Sequence, residues 1–406
     1  MKILIFSQHY PPEIGSPANR WGYFAPFLAR RNEVTLITSV PNFPTDKIYP
    51  GFQNAFSEKK DGRLSVVRCP VVIASRASSW KRLLNYFSFV FSAAWAYLKR
   101  RGGHKVVIAS APPLFVGLLG YLANRLERKT IFVLEIRDLW PDSVIATGAL
   151  KSGFAIKMGY WLERFLYERA DFILANSPGQ AEQLVEKKGL EPRKIKVILN
   201  GINLELFKTG TGESGLPKEK FVVFYGGNFG PAQRLETVIE AAEILKAEKD
   251  ILFVLMGAGV EKEKITGLLK AKRLQNVEIL AERPRRELMA FLKRADVCLV
   301  PYKNDPLFKG NIGGKVYEYL AAGCPTIVNI EGAVWEIVNK AGAGLLAEPE
   351  SPESLAQKIM TLRDDRALAE TLGRQAGKFS ETELDQKIFA VELESWLKKI
   401  AGQSLI

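Results

Sequence analysis

Histidine and cysteine are scarce in this chain, which has two histidines, His9 and His104, and three cysteines, Cys69, Cys298 and Cys324, in 406 residues. The cysteines are far apart and form no C-x-x-C pair, so neither a zinc cluster nor a disulfide framework fits. With so few imidazoles, a multi-histidine metal site and histidine-rich acid/base chemistry are excluded as well. No G-x-x-x-x-G-K-[ST] phosphate loop occurs, which argues against an NTPase. There is no G-x-G-x-x-G dinucleotide fingerprint. Nor is there a D-x-D carboxylate pair to hold a divalent cation on a diphosphate, so no metal or other cofactor is expected. No run is long enough and apolar enough for a confident membrane span. Residues 83–98 are uncharged but short of the about 20 apolar residues that a helix needs to cross a bilayer. Residues 106–124 are also uncharged, but Pro112 and Pro113 interrupt them and should end a strand before a helix begins. Met1 leads directly into a strand-like run without a signal peptide pattern, so a cytoplasmic protein is expected.

What the sequence does have is globular composition, with 47% hydrophobic and 25% charged residues, and enough length for two domains. Its net charge of +13 is unevenly placed: residues 1–200 carry +14 and residues 201–406 carry −1. Within residues 58–105, 11 Lys and Arg face only Glu58 and Asp61. The aromatic block 83–98, with Trp95 near its end, is flanked by Lys81, Arg82, Lys99 and Arg100. That pattern suits a helix lying on an anionic membrane surface, with core packing as its rival. The aromatics form a block rather than alternating with basic residues, and no zinc-finger spacing appears, so nucleic acid is not expected as a partner.

Short apolar, β-branched runs alternate with helical patterns almost throughout, the mark of parallel sheets covered by helices. Candidate strands cover 2–7, 33–38, 64–68, 105–110, 130–137, 172–176 and 196–199. After a Gly-rich linker at 208–220 they resume at 221–225, 251–256, 276–280, 297–301 and 326–329. The expected fold is α/β, with two Rossmann-like doubly wound parallel-sheet domains facing across a cleft. The first domain covers 1–205 and the second 206–377. Residues 378–406 are read as a terminal helical segment whose stripe of Ile388, Val391 and Trp396 must be buried, packing back on the first domain being one option.

Ligands of such sheets bind beyond the carboxyl ends of the strands, against helix N-termini. Gly15 and Ser16 stand at the first of these places, although an ordinary strand-to-helix turn explains them equally well. Arg137 and Asp138 close the strand at 130–137, either as an active edge or as an ion pair with each other or with Glu135. In the second half, residues 226–230 form a glycine-rich turn ahead of Gln233 and Arg234. Gly313 and Gly314 precede a short helix that carries Lys315 and Glu318 three residues apart, on one face. A lysine with exposed backbone N–H groups suits a diphosphate, and a carboxylate one turn deeper suits ribose hydroxyls. The alternative is a simple surface pair.

In their order and spacing, HYPPEIGS (9–16), RDLWPDS (137–143), RADFILANSP (169–178), NGINLELF (200–207), GGNFGPAQRLETVIEAA (226–242), MGAG (256–259), RADVCLVP (294–301) and KVYEYLAAGCPTIV (315–328) resemble family 4 of the retaining glycosyltransferases, which have the GT-B architecture. The DLWP and GN…AQ elements resemble most the branch of fucosamine-type transferases of surface polysaccharide assembly. The resemblance implies transfer of an N-acetylated sugar from a UDP-sugar to a lipid-linked or oligosaccharide acceptor. The acceptor would be bound by the basic, membrane-facing first domain and the donor by the second, with the protein peripheral to the inner face of the plasma membrane. Glu318 matches the second glutamate of the family's E-x7-E element, whereas the first falls at Gly310. The basic residues that many members present to the diphosphate correspond to Asn228 and Gln233, which leaves Arg234 and Lys315 as candidates for that charge. Arg283 matches the loop that reads the base. Arg137, Asp138 and Lys315 are the candidates for catalysis, which in this family is described as same-face attack without a side-chain nucleophile. The donor set is Gly15, Ser16, Asn228, Gln233, Arg234, Arg283, Gly313, Gly314 and Glu318. The rival readings are a nucleotide-sugar epimerase, a phosphorylase, or a non-catalytic membrane- or saccharide-binding module.

Overall fold

The computed structural model describes residues 1–43, 46–73, 79–146, 148, 150, 152–205 and 213–403. The proposed linker at 208–220 lies partly outside the described residues. The chain divides into two compact units, Met1–Asn200 with Phe389–Ile406, and Gly201–Ile388. The sequence reading divides the chain at 205/206 and 377/378 instead. Gly201 falls in the second unit because Ile202 bridges to Asp385, its N–H bonding Leu384 O at 2.8 Å and its carbonyl accepting from Gln386 N at 2.9 Å.

The first unit holds an eight-stranded sheet in the order β3-β4-β2-β1-β5-β6-β7-β8. These strands are β1 (Lys2–Ser7), β2 (Glu33–Ser39), β3 (Ser57–Asp61), β4 (Leu64–Cys69), β5 (Val106–Ala111), β6 (Ile131–Ile136), β7 (Phe172–Ala175) and β8 (Ile195–Val197). All pairings are parallel except β3 with β4. The β3 strand, SEKKD, was not foreseen, because its residues are polar and fully exposed and carry no apolar alternation. The second unit has a six-stranded parallel sheet in the order β11-β10-β9-β12-β13-β14. Its strands are β9 (Phe221–Gly226), β10 (Ile251–Met256), β11 (Val277–Leu280), β12 (Val297–Val300), β13 (Thr326–Val328) and β14 (Gly344–Leu346).

Reading outward from β1 and from β9, each sheet follows the doubly wound 3-2-1-4-5-6 order, to which the first unit adds the parallel strand β8 at one edge and the antiparallel β3 at the other. Strand order therefore reverses between β1 and β5 in one unit and between β9 and β12 in the other. Ligand sites of open α/β sheets lie beyond the strand ends at those two points. Apart from Lys2 at the start of β1, the central strands β1, β5, β6 and β10 are buried throughout, as parallel strands covered on both faces must be.

The last helix, Gln386–Gln403, belongs to the first unit's core through Phe389, Ala390, Leu393, Leu397 and Ile400. Ile388 and Val391 are exposed at 43% and 50%, which corrects the expected stripe. The face that is buried instead repeats at Phe389, Leu393, Leu397 and Ile400, with Ala390 beside it, which leaves Ile388 and Val391 on the other side of the same helix. Trp396 is partly buried, edge-on to Phe172 at 5.7 Å. Residues 83–98 fall in a 20-residue helix, Ser79–Leu98, that divides the rival readings between its two faces. Phe89, Ala93, Ala96 and Tyr97 are buried, whereas Trp80, Leu84, Phe87, Phe91, Trp95 and Leu98 are exposed. Among the described residues, no helix is long and apolar enough to cross a membrane.

Candidate active site

In the second unit, the strand FVVFYG of β9 ends at its switch point in Tyr225 and Gly226. Tyr319 fixes this end, its hydroxyl accepting from Gly226 N–H at 2.8 Å and lying 3.2 Å from Gly226 O. The glycines beyond are required by close backbone approach. A Cβ on Gly257 would stand 1.9 Å from Gly227 O, in a backbone conformation (φ 156°) that side chains rarely adopt. Gly227 N–H bonds Met256 O at 3.0 Å and Phe229 N–H bonds Ala258 O at 2.8 Å, which joins the β9 and β10 turns. Asn228 is exposed and Gln233 half-buried. An added Cβ on Gly230 would lie 2.6 Å from Asn228 Nδ2 and 3.1 Å from Gln233 Oε1, so both amides flank that glycine. Gln233 Oε1 is buried without a hydrogen-bond partner.

Lys315 enters this turn from the helix Gly314–Ala321, which begins after Gly313 with no side-chain cap on its N-terminus. An added Cβ on Gly313 would stand 2.6 Å from Tyr302 Oη, so the tyrosine passes close over the helix start. Lys315 Nζ donates to Tyr225 Oη at 3.3 Å and lies 4.4 Å from the Tyr225 ring centroid and 5.5 Å from that of Tyr302. A Cβ on Gly227 would be 3.5 Å from that same nitrogen, which places the ammonium against the glycine turn. Burial pushes the lysine down to about 7, and the charge of Glu318 one turn along only partly opposes this. The result is a lysine that gains most by meeting an anion, beside uncapped backbone N–H groups. Sequence reasoning missed Tyr225, Tyr302 and Tyr319, because a tyrosine in or just after an apolar strand, or on the apolar side of a helix, reads as core.

Arg234 and Arg283, the two proposed donor arginines, pair with carboxylates of their own. Arg234 takes a left-handed conformation (φ 45°) between two short helices, and its guanidinium faces Glu236 and Glu350, both at 3.8 Å. Arg283 is exposed and pairs with Glu287 at 3.5 Å.

In the first unit, the turn after β1 is tied down by buried Glu13, which accepts from Asn42 N and Phe43 N at 2.7 and 2.9 Å and pairs with His9 Nδ1 at 2.7 Å. The helix Ser16–Ala29 then starts after Gly15 without a side-chain cap. Neither of the proposed ion pairs at the end of β6 is what forms. Glu135, fully buried, accepts from Arg20 Nε at 2.6 Å, Trp21 Nε1 at 2.9 Å and Ser110 Oγ at 2.5 Å. Burial alone would raise its carboxyl, but the charges of Arg20 and Arg137 and the Ser110 hydroxyl together hold it low. Arg137 is 5% exposed and turns to the start of the first helix, where Nη2 donates to Ser16 Oγ at 2.5 Å. Burial pushes its guanidinium down to about 10. Asp138 is exposed, and its charge acts on Arg137. Alternation along the strand puts residues 135 and 137 on one side, and the signal for Glu135 was a carboxylate in an otherwise apolar strand facing Arg20 in an otherwise apolar helix.

Of the surface residues, Lys81 and Lys99 are exposed, and Lys99 Nζ caps the Trp95 ring at 4.8 Å. Arg82 is half-buried, and Arg100 pairs with Glu58 of β3 at 2.9 Å. Among the described residues, no group of three His, Cys, Asp or Glu side chains is arranged to hold a metal ion.

Two family models cover most of the chain: Glycosyl transferase 4-like domain over residues 18–201, and Glycosyl transferases group 1 over residues 209–379. The chain is a group 1 glycosyltransferase. It is 27% identical over 378 residues to WcaI of Escherichia coli (strain K12), assigned by name to colanic acid biosynthesis as a glycosyl transferase, with 88% of this chain and 91% of the relative covered. It is 25% identical over 228 residues, 56% of this chain and 60% of the relative, to an N-acetylgalactosamine-N,N'-diacetylbacillosaminyl-diphospho-undecaprenol 4-alpha-N-acetylgalactosaminyltransferase of Campylobacter jejuni. Its fold matches that of Anabaena HepE solved with UDP-glucose, with a TM-score of 0.69, 16% identity, and 98% of this chain and 100% of that one covered. The GT-B architecture, two parallel-sheet α/β units, is therefore the fold of this enzyme.

Proposed function

We propose that this glycosyltransferase moves an N-acetylated hexosamine or deoxyhexosamine from a UDP-sugar, with retention and without a metal, to a lipid-linked or oligosaccharide acceptor in cell-surface polysaccharide synthesis. The observation that carries the donor half is Lys315, half-buried on the Tyr225 face and directed at a glycine turn beside an uncapped helix. There it neutralises the leaving diphosphate, with Glu318 taking the ribose, and no divalent cation is required for the charge. The UDP-glucose held by HepE and the lipid-diphosphate acceptor in the Campylobacter relative's name support this choice of donor and acceptor.

The first unit supplies the acceptor side at the inner face of the plasma membrane. Its helix Ser79–Leu98 presents Trp80, Leu84, Phe87, Phe91, Trp95 and Leu98 outward. A second helix, Gly153–Arg169, exposes Phe154, Met158 and Trp161 at the same helical spacing. Apolar faces with basic residues at their margins suit an anionic leaflet.

The donor assignment is tested by a thermal-shift panel of UDP, GDP, ADP and several UDP-sugars, without metal and then with Mg²⁺ and Mn²⁺. Stabilisation by uridine nucleotides alone and without metal is expected, since a ligand that binds only the folded state raises its stability. No shift at millimolar nucleotide would overturn it. For the acceptor side, the protein should pellet with anionic but not neutral liposomes at low salt and be released by added salt. Failure to pellet would remove the membrane from the proposal.

A further inference from the structure

Beyond the carboxyl ends of β12 and β13, the second unit holds a buried hydrogen-bond donor that has no acceptor. Asn329 follows β13 directly and is 2% exposed. Its Oδ1 accepts from Tyr302 N–H at 2.7 Å, whereas its Nδ2 is buried with no hydrogen-bond partner. The amide cannot be turned round, since Nδ2 would then face the Tyr302 N–H, donor against donor. The fold therefore holds the two N–H bonds of Nδ2 towards a place without an acceptor, and an unmet buried donor is costly. Tyr302 ties this place to the proposed donor site. Its ring centroid is 5.5 Å from Lys315 Nζ, and a Cβ on Gly313, just ahead of the lysine's helix, would stand 2.6 Å from its hydroxyl. The surroundings are apolar: Val328 and Ile330, the chain neighbours of Asn329, are wholly buried, and the Tyr302 ring stacks on that of Phe308 at 6.2 Å.

We infer that Asn329 selects the N-acetylated sugar of the donor, its Nδ2 donating to the acetamido carbonyl. The match is one of chemical kind. Nδ2 gives hydrogens and takes none, and an amide carbonyl oxygen takes them and gives none. A sugar hydroxyl would instead bring a hydrogen of its own into apolar surroundings, at a cost in desolvation. Those same surroundings suit the acetamido methyl group. Because Asn329 is 2% exposed, it is met by an arm that projects from the sugar ring and not by the ring itself. Lys315 then reads the diphosphate and Asn329 the sugar, with Tyr302 between them. The inference deepens the proposed function and rests on its uridine diphosphate donor.

The test is calorimetric titration of the full chain with UDP and with two pairs of donors that differ only in an acetamido group for a hydroxyl, UDP-N-acetylglucosamine against UDP-glucose and UDP-N-acetylgalactosamine against UDP-galactose. In at least one pair the acetamido donor should bind about tenfold tighter, the equivalent of about 1.4 kcal/mol. Asn329→Asp keeps an acceptor for the Tyr302 N–H and puts an oxygen in the place of Nδ2, so it should abolish that preference while UDP affinity stays within about twofold. Asn329→Ser, whose shorter side chain carries no amide, should abolish it too, and this keeps the test open should Asn329→Asp fail to fold. The inference is overturned if neither pair shows a preference or if the preference survives both substitutions. It is overturned as well if UDP loses as much affinity as the acetamido donor, since Asn329 would then act only by holding Tyr302 beside Lys315. Binding of UDP without a preference between the sugars strikes this inference alone, whereas no binding of UDP or of any UDP-sugar strikes the proposed donor site along with it.

Discussion

Lys315 and Arg137 each lie beside an uncapped helix start in their own unit, the lysine half-buried and the arginine buried, yet they are built on opposite principles. Lys315 lies on aromatic rings with a carboxylate only one turn away, and burial takes it down to about 7. It can shed its charge when empty and regain it when an anion arrives. Arg137 stays charged, since about 10 is still well above neutrality, and the fully buried Glu135 nearby helps to keep it so. A lysine therefore gives a site whose charge follows its ligand, and an arginine one whose charge is fixed by the fold. Leaving-group stabilisation suits the first.

The strongest way to break this comparison is at Glu135. Its replacement by alanine leaves two buried guanidiniums facing each other, so the first unit should lose about 3 to 5 kcal/mol of stability. Hydrogen exchange of the β5 and β6 amides would report it, with the second unit's strands unchanged. Because Glu135 is held below the ordinary carboxylate range, its contribution is complete above about pH 4.5 and is lost as pH falls through its lowered value in the folded chain. Protection in the first unit that is insensitive both to Glu135→Ala and to acid would show that Arg20 and Arg137 are neutralised by something else.

Next in size is Lys315→Ala, expected to lower turnover about 100- to 1,000-fold in a folded protein, the scale of losing one preorganised donor to a developing negative charge. A loss of only a few-fold would remove Lys315 from the leaving-group role. The pH dependence sharpens the contrast. With a folded-state value of about 7, well below the ordinary lysine range, Lys315 is neutral in the empty site above pH 7. The anion must then recruit a proton, so UDP affinity should fall towards tenfold per unit between pH 7 and 9, with proton uptake visible by calorimetry in buffers of different ionisation heat. The same depression makes the empty second unit gain stability as pH rises from 7 towards the ordinary lysine value. Lys315→Arg should flatten the UDP profile, because arginine keeps its charge throughout.

Most of the scaffold could be read from the chain, because parallel strands buried on both faces print themselves as apolar runs such as KILIFS and ILFVLM. The exposed β3 strand had no such print, and β14 is only three residues long. In the site, Lys315 and its glycines were visible as a helix start, since glycine and a basic residue ahead of a short helix are local signals. What was not visible is long-range. Arg20 meets Glu135 across 115 positions and Lys315 meets Tyr225 across 90. Spacing arguments look a few residues along the chain, so they offered Glu135 its neighbour Arg137 and gave Lys315 no aromatic partner. In the last helix two apolar stripes compete, Ile388 with Val391 and Phe389 with Leu393, Leu397 and Ile400, and only the longer one is buried.

The smallest effect is expected at Arg234, which the sequence places level with Lys315 as a diphosphate ligand. Its guanidinium lies 3.8 Å from both Glu236 and Glu350, with the side chain 46% exposed. Lys264 shares Glu236 through a shorter contact. An exposed pair at that distance is worth about 0 to 1 kcal/mol, and a guanidinium committed to two carboxylates has little field left for a phosphate. Arg234→Ala should change UDP affinity by less than about twofold, measured by calorimetry at pH 7, against the large loss at Lys315. A loss of tenfold or more would mean that Arg234 leaves Glu236 and Glu350 when UDP binds. The second unit would then hold a fixed charge as well as a switchable one, and the contrast between the units would become one of degree.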